Sequence, residues 1–305
     1  MKHNNLLSIS DLSGEEILSL IYDAVELKKK AWTETLKHKA LAILFEKQSA
    51  RTRVSFDLAM NQLGGHAIYL SQAEVGLGTR ETVPDVARVL GRYVDAISAR
   101  TYSHRTIEIL AEYAGVPVIN ALSDCEHPCQ ALADLQTIYE QKGTLRGITL
   151  AYIGDGNNIA NSLALASGLT GMNFRIASPE GYNLTQDISS KAEKYAAESG
   201  SIIMLSTSSE EAVTGADIVY TDTWTSMGQE SEAEKRRKVF ADYQVNEKLM
   251  KLAKQDAIFM HCLPAHRGEE VTDEVMESEQ SVVFDQAENR LHAQKALLVK
   301  LLGSN

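Results

Sequence analysis

Leu41-Ala42-Ile43-Leu44-Phe45, running on into Glu46-Lys47-Gln48-Ser49-Ala50-Arg51-Thr52-Arg53, is the stretch from which the fold can be read. The first five residues form a short apolar run that reads as a buried strand. After the connection, Phe56, Ala59, Met60 and Leu63 recur at helical spacing until Gly64-Gly65 stops the pattern. Ser49 therefore falls where a helix N-cap belongs, with Ala50, Arg51 and Thr52 in the first turn. The N–H groups of that turn lack intrahelical partners and stand at the positive end of the helix dipole. Two hydroxyls and two guanidinium groups complete a cradle suited to a phosphate dianion. A capped helix with solvated arginines fits the isolated motif as well.

Outward from this stretch, apolar runs of strand type alternate with helical patterns. Strands are expected at 41–45, 66–70, 94–99, 116–119, 148–153, 174–177, 202–206, 217–221, 257–261 and 281–284. Helical patterns fill most gaps between them, for example 15–31, 52–63, 106–114, 128–140, 158–169, 188–198 and 287–302. This alternation predicts an α/β protein built from doubly wound parallel sheets. The polar, glycine-bearing stretch 141–147 divides it into two blocks, so the expected domains are 1–140 and 141–286, with a last helix in 287–305. Ligands in such sheets gather beyond the carboxyl ends of the strands.

The chain has 305 residues, 44% hydrophobic and 23% charged, an ordinary globular composition. No apolar run is long enough to span a bilayer, and the first residues carry no signal or transit pattern. Three cysteines without a C-x-x-C pair make a poor disulfide framework and suit a reduced, cytoplasmic compartment. A net charge of −11 argues against a general nucleic-acid binder. It leaves open a small phosphorylated ligand, whose field is set by local arginines.

The loops after the strands hold the unusual residues. His127-Pro128-Cys129-Gln130 opens a helix, with proline at the first helical position, so an imidazole and a carboxamide are available as donors. Gly154-Asp155-Gly156-Asn157-Asn158 resembles a dinucleotide turn, but Ile159 stands where its third glycine belongs. Asn158 is left as a polar ligand contact or a helix cap. Asp222 closes a strand ahead of a small flexible loop containing Ser226-Met227-Gly228, a setting for an ammonium group. His261-Cys262-Leu263-Pro264 follows another strand. Neighbouring side chains diverge on an extended backbone, so His261 and Cys262 are not expected to form a zinc pair. Arg290, in Glu288-Asn289-Arg290, would by itself pass for a surface residue.

These motifs, in this order, make the chain resemble the aspartate/ornithine carbamoyltransferase family on its ornithine side, over essentially its whole length. The resemblance implies that the first domain binds carbamoyl phosphate, the second binds the amino-acid acceptor, and the last helix packs back on the first domain. It implies carbamoyl transfer to the δ-amine of ornithine, giving citrulline and phosphate in arginine metabolism, with no cofactor and no metal. It further implies a homotrimer with active sites at subunit interfaces. Position by position, Ser49, Ala50, Arg51 and Thr52 match the phosphate cradle, and Arg100 the second substrate arginine. His127 and Gln130 match the contacts to the carbamoyl group, with Cys262, Leu263 and Arg290 completing its pocket. Arg51, Arg100, His127 and Cys262 are thereby the catalytic set. Asn158, Asp222, Ser226 and Met227 match the ornithine-binding positions. Two departures stand out: Ala50 replaces the family's usual threonine, and Gly76 stands near a usual glutamine. A different amine acceptor, or a catalytically silent phosphate-binding homologue, are the other readings.

Overall fold

The computed structural model describes residues 4–30, 32–225 and 228–303. They fall into two compact units, one running to Gln136 and resuming at Glu288, the other comprising Thr137–Ala287.

The first unit opens with α1 (Gly14–Lys28), whose start is fixed by a reciprocal capping box between Ser13 and Glu16. It continues through β1 (Ala40–Phe45), α2 (Ala50–Gln62), β2 (His66–Ser71), α3 (Gln72–Val75), α4 (Val83–Leu90), β3 (Ala96–Arg100), α5 (His104–Tyr113), β4 (Val118–Leu122) and α6 (Pro128–Lys142). The four strands are parallel in the order β2-β1-β3-β4. Every residue of β1 and β4 is buried, as strands covered on both faces require, whereas edge strand β2 keeps His66 and Ile68 exposed. The chain reverses its winding direction between β1 and β3, which puts a crevice at their carboxyl ends.

The second unit contains β5 (Thr149–Ile153), α7 (Asn158–Thr170), β6 (Asn173–Ala177), α8 (Gln186–Ser199), β7 (Ile203–Ser206), α9 (Ser209–Val213), β8 (Ile218–Thr221), α10 (Ala233–Phe240), α11 (Glu247–Met250), β9 (Ile258–His261) and α12 (Asp273–Met276). Its five parallel strands run β7-β6-β5-β8-β9, so the winding reverses between β5 and β8. Apolar side chains on and around this sheet, Ile153, Val219, Phe259 and Val275 among them, form its core.

The final helix, α13 (Val283–Leu302), belongs to the first unit from Glu288 onward. The fully buried Lys295 explains its seat there: Nζ donates to the carbonyls of Leu27 and Lys30 and to Oε1 of Gln62, at 3.1–3.2 Å. One ammonium thus serves the carbonyl end of α1 and the last residue of α2, where a cation complements the helix dipole. Lys28 and Gln136 both donate to Asn289 Oδ1.

The strand expected at 281–284 does not form. Ser281 makes only an isolated bridge to Phe259, and Val283 already begins α13. Val282 and Val283 are buried apolar residues, but the helix supplies that burial. Helices α3, α4, α9, α10, α11 and α12 were not among those named; none exceeds eight residues, too short to show a clear period. Among the described residues, no helix is long and apolar enough to cross a membrane.

Candidate active site

In the first unit, the strand ends at the reversal carry the anion-binding candidates. Ser49 is the N-cap of α2, with extended backbone, and its Oγ accepts the N–H of Thr52 at 3.3 Å. Ala50 and Arg51 are exposed in the first turn, while Thr52 is buried. Arg290, reaching from α13, donates to Thr52 Oγ1 at 2.7 Å. Arg100 ends β3 opposite Phe45, and its carbonyl accepts the N–H of Glu46 at 2.9 Å, fixing the β1–α2 connection. Arg53, counted with the cradle from sequence, instead lies over the ring of Tyr69 at 4.0 Å, a cation–π contact.

His127 is buried immediately before α6, its carbonyl accepting the N–H groups of Gln130 and Ala131. Burial, followed by the charges of Arg290, Arg100 and Arg51, holds its pKa well below the ordinary 6.5. The ring is neutral at pH 7 and stands in the field of three guanidinium groups, a device for receiving negative charge. Cys129 has no such role. Burial pushes its thiol up to about 12, and Sγ donates to the carbonyl of Asn120. Gly76 takes φ +63°, and its carbonyl accepts the N–H groups of Thr79, Arg80 and Glu81. A Cβ there would stand 2.6 Å from Arg80 Cβ, so the tight turn favours glycine over the family's glutamine.

In the second unit, register places Ile153, Thr221 and His261 side by side, so the loops after β5, β8 and β9 meet. Asn157, rather than Asn158, caps α7: its Oδ1 accepts the N–H groups of Ile159 and Ala160. Its Nδ2 donates to Asp222 Oδ2 at 2.8 Å, and Cys262 Sγ donates to Asp222 Oδ1 at 3.1 Å. Asn158 is the first helical residue, half-buried beside them. Asp222, Asn158 and Cys262 therefore gather at one sheet end. Ser226 and Met227 lie outside the described residues. Buried Arg236 joins two of these loops, with Nη1 donating to Asp155 Oδ2 and to the carbonyl of Trp224, both at 2.9 Å.

His261 holds the last loop. Its Nδ1 accepts the N–H of Leu263 at 2.9 Å, so the ring proton sits on Nε2, 3.1 Å from buried Glu270. Leu263 takes φ +58°, an uncommon conformation for a branched residue, and this bond steadies it. Cys262 already lies beyond β9, and the divergence expected on an extended strand is lost. Donor atoms of Asp222, His261 and Cys262 come within 4.8 Å of one another. Both imidazole nitrogens are nevertheless engaged, so a cation would have to displace one of these bonds.

Sequence reasoning missed Asn157, Glu270 and Arg236. Asn157 adjoined the residue chosen and could have been found. Nothing in the sequence around Arg236 points to Asp155, 81 positions away.

Two doubly wound parallel sheets are the architecture of an α/β transferase here, and the chain belongs to the aspartate/ornithine carbamoyltransferase family. Residues 4–140 match that family's carbamoyl-P binding domain and residues 146–301 its Asp/Orn binding domain. The chain is 55% identical to an ornithine carbamoyltransferase of Anoxybacillus flavithermus, over 99% of this chain and 98% of that one. It is 53% identical to the Pyrococcus furiosus protein named ornithine carbamoyltransferase, anabolic, over 98% of this chain and 96% of that one. The solved structure of ornithine carbamoyltransferase from Pyrococcus furiosus superposes with a TM-score of 0.96, covering 99% of this chain and 97% of that chain.

Proposed function

We propose that this protein transfers the carbamoyl group of carbamoyl phosphate to the δ-amine of L-ornithine, giving L-citrulline and phosphate. The observation that carries the reading is the match of residues 4–140 and 146–301 to the carbamoyl-P and Asp/Orn binding domains, and buried His127 in the field of Arg290, Arg100 and Arg51 agrees with it. In the proposed reaction the amine lone pair forms the new C–N bond and the carbonyl oxygen gains charge. The C–O bond to phosphate then breaks with its electron pair leaving on phosphate, and the attacking nitrogen passes its proton to that departing phosphate. Arg51, Arg100 and His127 stabilise the oxyanion. Ser49, Ala50, Arg51 and Thr52 hold the phosphate at the start of α2, with Ala50 contributing its backbone N–H alone. Gln130, Cys262, Leu263 and Arg290 complete the carbamoyl contacts. Asn158 and Asp222 meet the amino acid, together with Ser226 and Met227 by resemblance to the family.

By the same reading, 1–140 is the carbamoyl-phosphate domain, 141–286 the ornithine domain, and 287–305 the returning helix. Assembly as a homotrimer follows from the family resemblance; exposed Val54 and Leu58 one turn apart on α2, and exposed Ile68 on edge strand β2, are apolar side chains such a contact would bury. A cytoplasmic place suits three cysteines with no disulfide among them.

The test is citrulline formation with ornithine, putrescine and aspartate assayed in parallel, ornithine being the expected acceptor. An alkylammonium of pKa about 10.4 is neutral in roughly one molecule per thousand near pH 7.4. At subsaturating ornithine the rate should therefore climb from about pH 7 to about pH 9. A flat profile, or a preference for another amine, counts against the reading.

A further inference from the structure

The amide of Gln130 is fixed in one of its two orientations. Gln130 and Asp134 are one turn apart on α6, both buried, with Gln130 Nε2 2.8 Å from Asp134 Oδ1. A carboxylate only accepts, so it selects the amide nitrogen and turns Oε1 the other way. That oxygen is buried and has no hydrogen-bond partner among the described residues. Gln130 follows His127 by three positions, on the same side of the helix start. The charged groups acting on His127 are Arg51, Arg100 and Arg290, and the α2 start adds N–H groups, so donors are abundant there. A buried, unpartnered acceptor beside so many donors is suited to meet an N–H on the ligand.

We infer that Asp134 is a positioning residue that orients Gln130 to read the carbamoyl nitrogen, so that the site selects carbamoyl phosphate over an acyl phosphate of the same shape. The inference rests on the carbamoyl phosphate reading above. Acetyl phosphate is the discriminating probe: it keeps the phosphate and carbonyl and replaces the NH2 with a methyl group. Sites built to hydrogen-bond a ligand N–H reject the analogue lacking it by as much as roughly 10⁴-fold. In Asp134→Asn the new amide can satisfy Gln130 either way round, and equal occupancy of two orientations costs about twofold in carbamoyl phosphate affinity. In Asp134→Leu nothing selects the orientation and the buried Nε2 loses its acceptor, so the loss should reach about tenfold or more.

The experiment measures kcat/KM for carbamoyl phosphate, and competitive Ki values for acetyl phosphate and inorganic phosphate, on the intact enzyme and both variants. Selectivity for carbamoyl over acetyl phosphate should fall in the order wild type, Asn, Leu, while the inorganic phosphate Ki stays within about threefold. An unchanged ratio, or equal weakening of all three ligands, overturns the inference. Should the leucine variant not fold, the near-isosteric asparagine variant decides alone: a selective loss supports the role and an unmoved ratio overturns it. If the wild type forms no citrulline, the proposed function has failed. If it does and the ratio does not move, only the role of Asp134 has failed.

Discussion

At the scale of single residues, the anion site depends on charges whose contributions differ in kind. Arg290 is spent partly on Thr52, and Arg53 on Tyr69, whereas Arg51 is exposed at the α2 start and acts on His127. Removing one preorganised donor to a developing oxyanion costs on the order of 10²–10³ in kcat. Arg51→Ala removes a donor assigned to both the carbonyl and the leaving phosphate, so about 10³-fold or more is expected in single-turnover citrulline formation. A near-normal rate would remove Arg51 from the mechanism. What was legible here followed from motif positions after strands, which is why Ser49, Arg100, His127, Asp222 and Cys262 all reach sheet ends. What was not legible was side-chain commitment: neither the choice of Asn157 over Asn158 as cap, nor the Asp134 contact to Gln130, follows from residue type.

At the scale of elements, all nine strands of the two sheets were readable from apolar runs, because buried parallel strands are rich in continuous Val, Ile, Leu and Ala. The same rule misled at 281–284, where a β-branched run opens a helix. The Gly154-Asp155-Gly156 turn also acquires a purely structural explanation. Gly156 donates its N–H to the carbonyl of Tyr182, and a Cβ on it would lie 2.6 Å from both Asn183 O and Leu184 N. Backbone atoms cannot rotate away, so Gly156→Ala must displace the β5–α7 loop or the 182–184 segment. Overpacking of this kind costs about 1–3 kcal/mol. Thermal unfolding should register that loss, and ornithine affinity should weaken with it, because the loop carries Asn157 and Asn158. An unaltered melting temperature would mean that the loop yields freely.

At the scale of the whole molecule, burial of a neutral histidine links stability to pH. Below about pH 6.5 the unfolded chain binds a proton at His127 that the folded chain resists. Stability from this residue is therefore intact above that pH and falls as pH drops toward the lowered folded value. The slope is at most about 1.4 kcal/mol per pH unit. Denaturant unfolding between about pH 5 and pH 7 should show it, and His127→Gln should remove it. A variant slope equal to that of the wild type would assign acid sensitivity elsewhere. The proposed trimer offers a second check: if it buries the exposed α2 face, Leu58→Asp should shift the mass in solution toward the monomer. A variant that keeps the wild-type mass would direct the subunit interface to another surface. The first unit is also split in sequence, with Arg290 supplied by the helix that rejoins it at Glu288. On the ribosome, everything up to Gln136 emerges while that arginine is still untranslated. At about 5–20 residues per second the gap lasts on the order of ten seconds. The start of α2 spends that time without the guanidinium that donates to Thr52, so the first unit is completed only after the whole of the second has been translated.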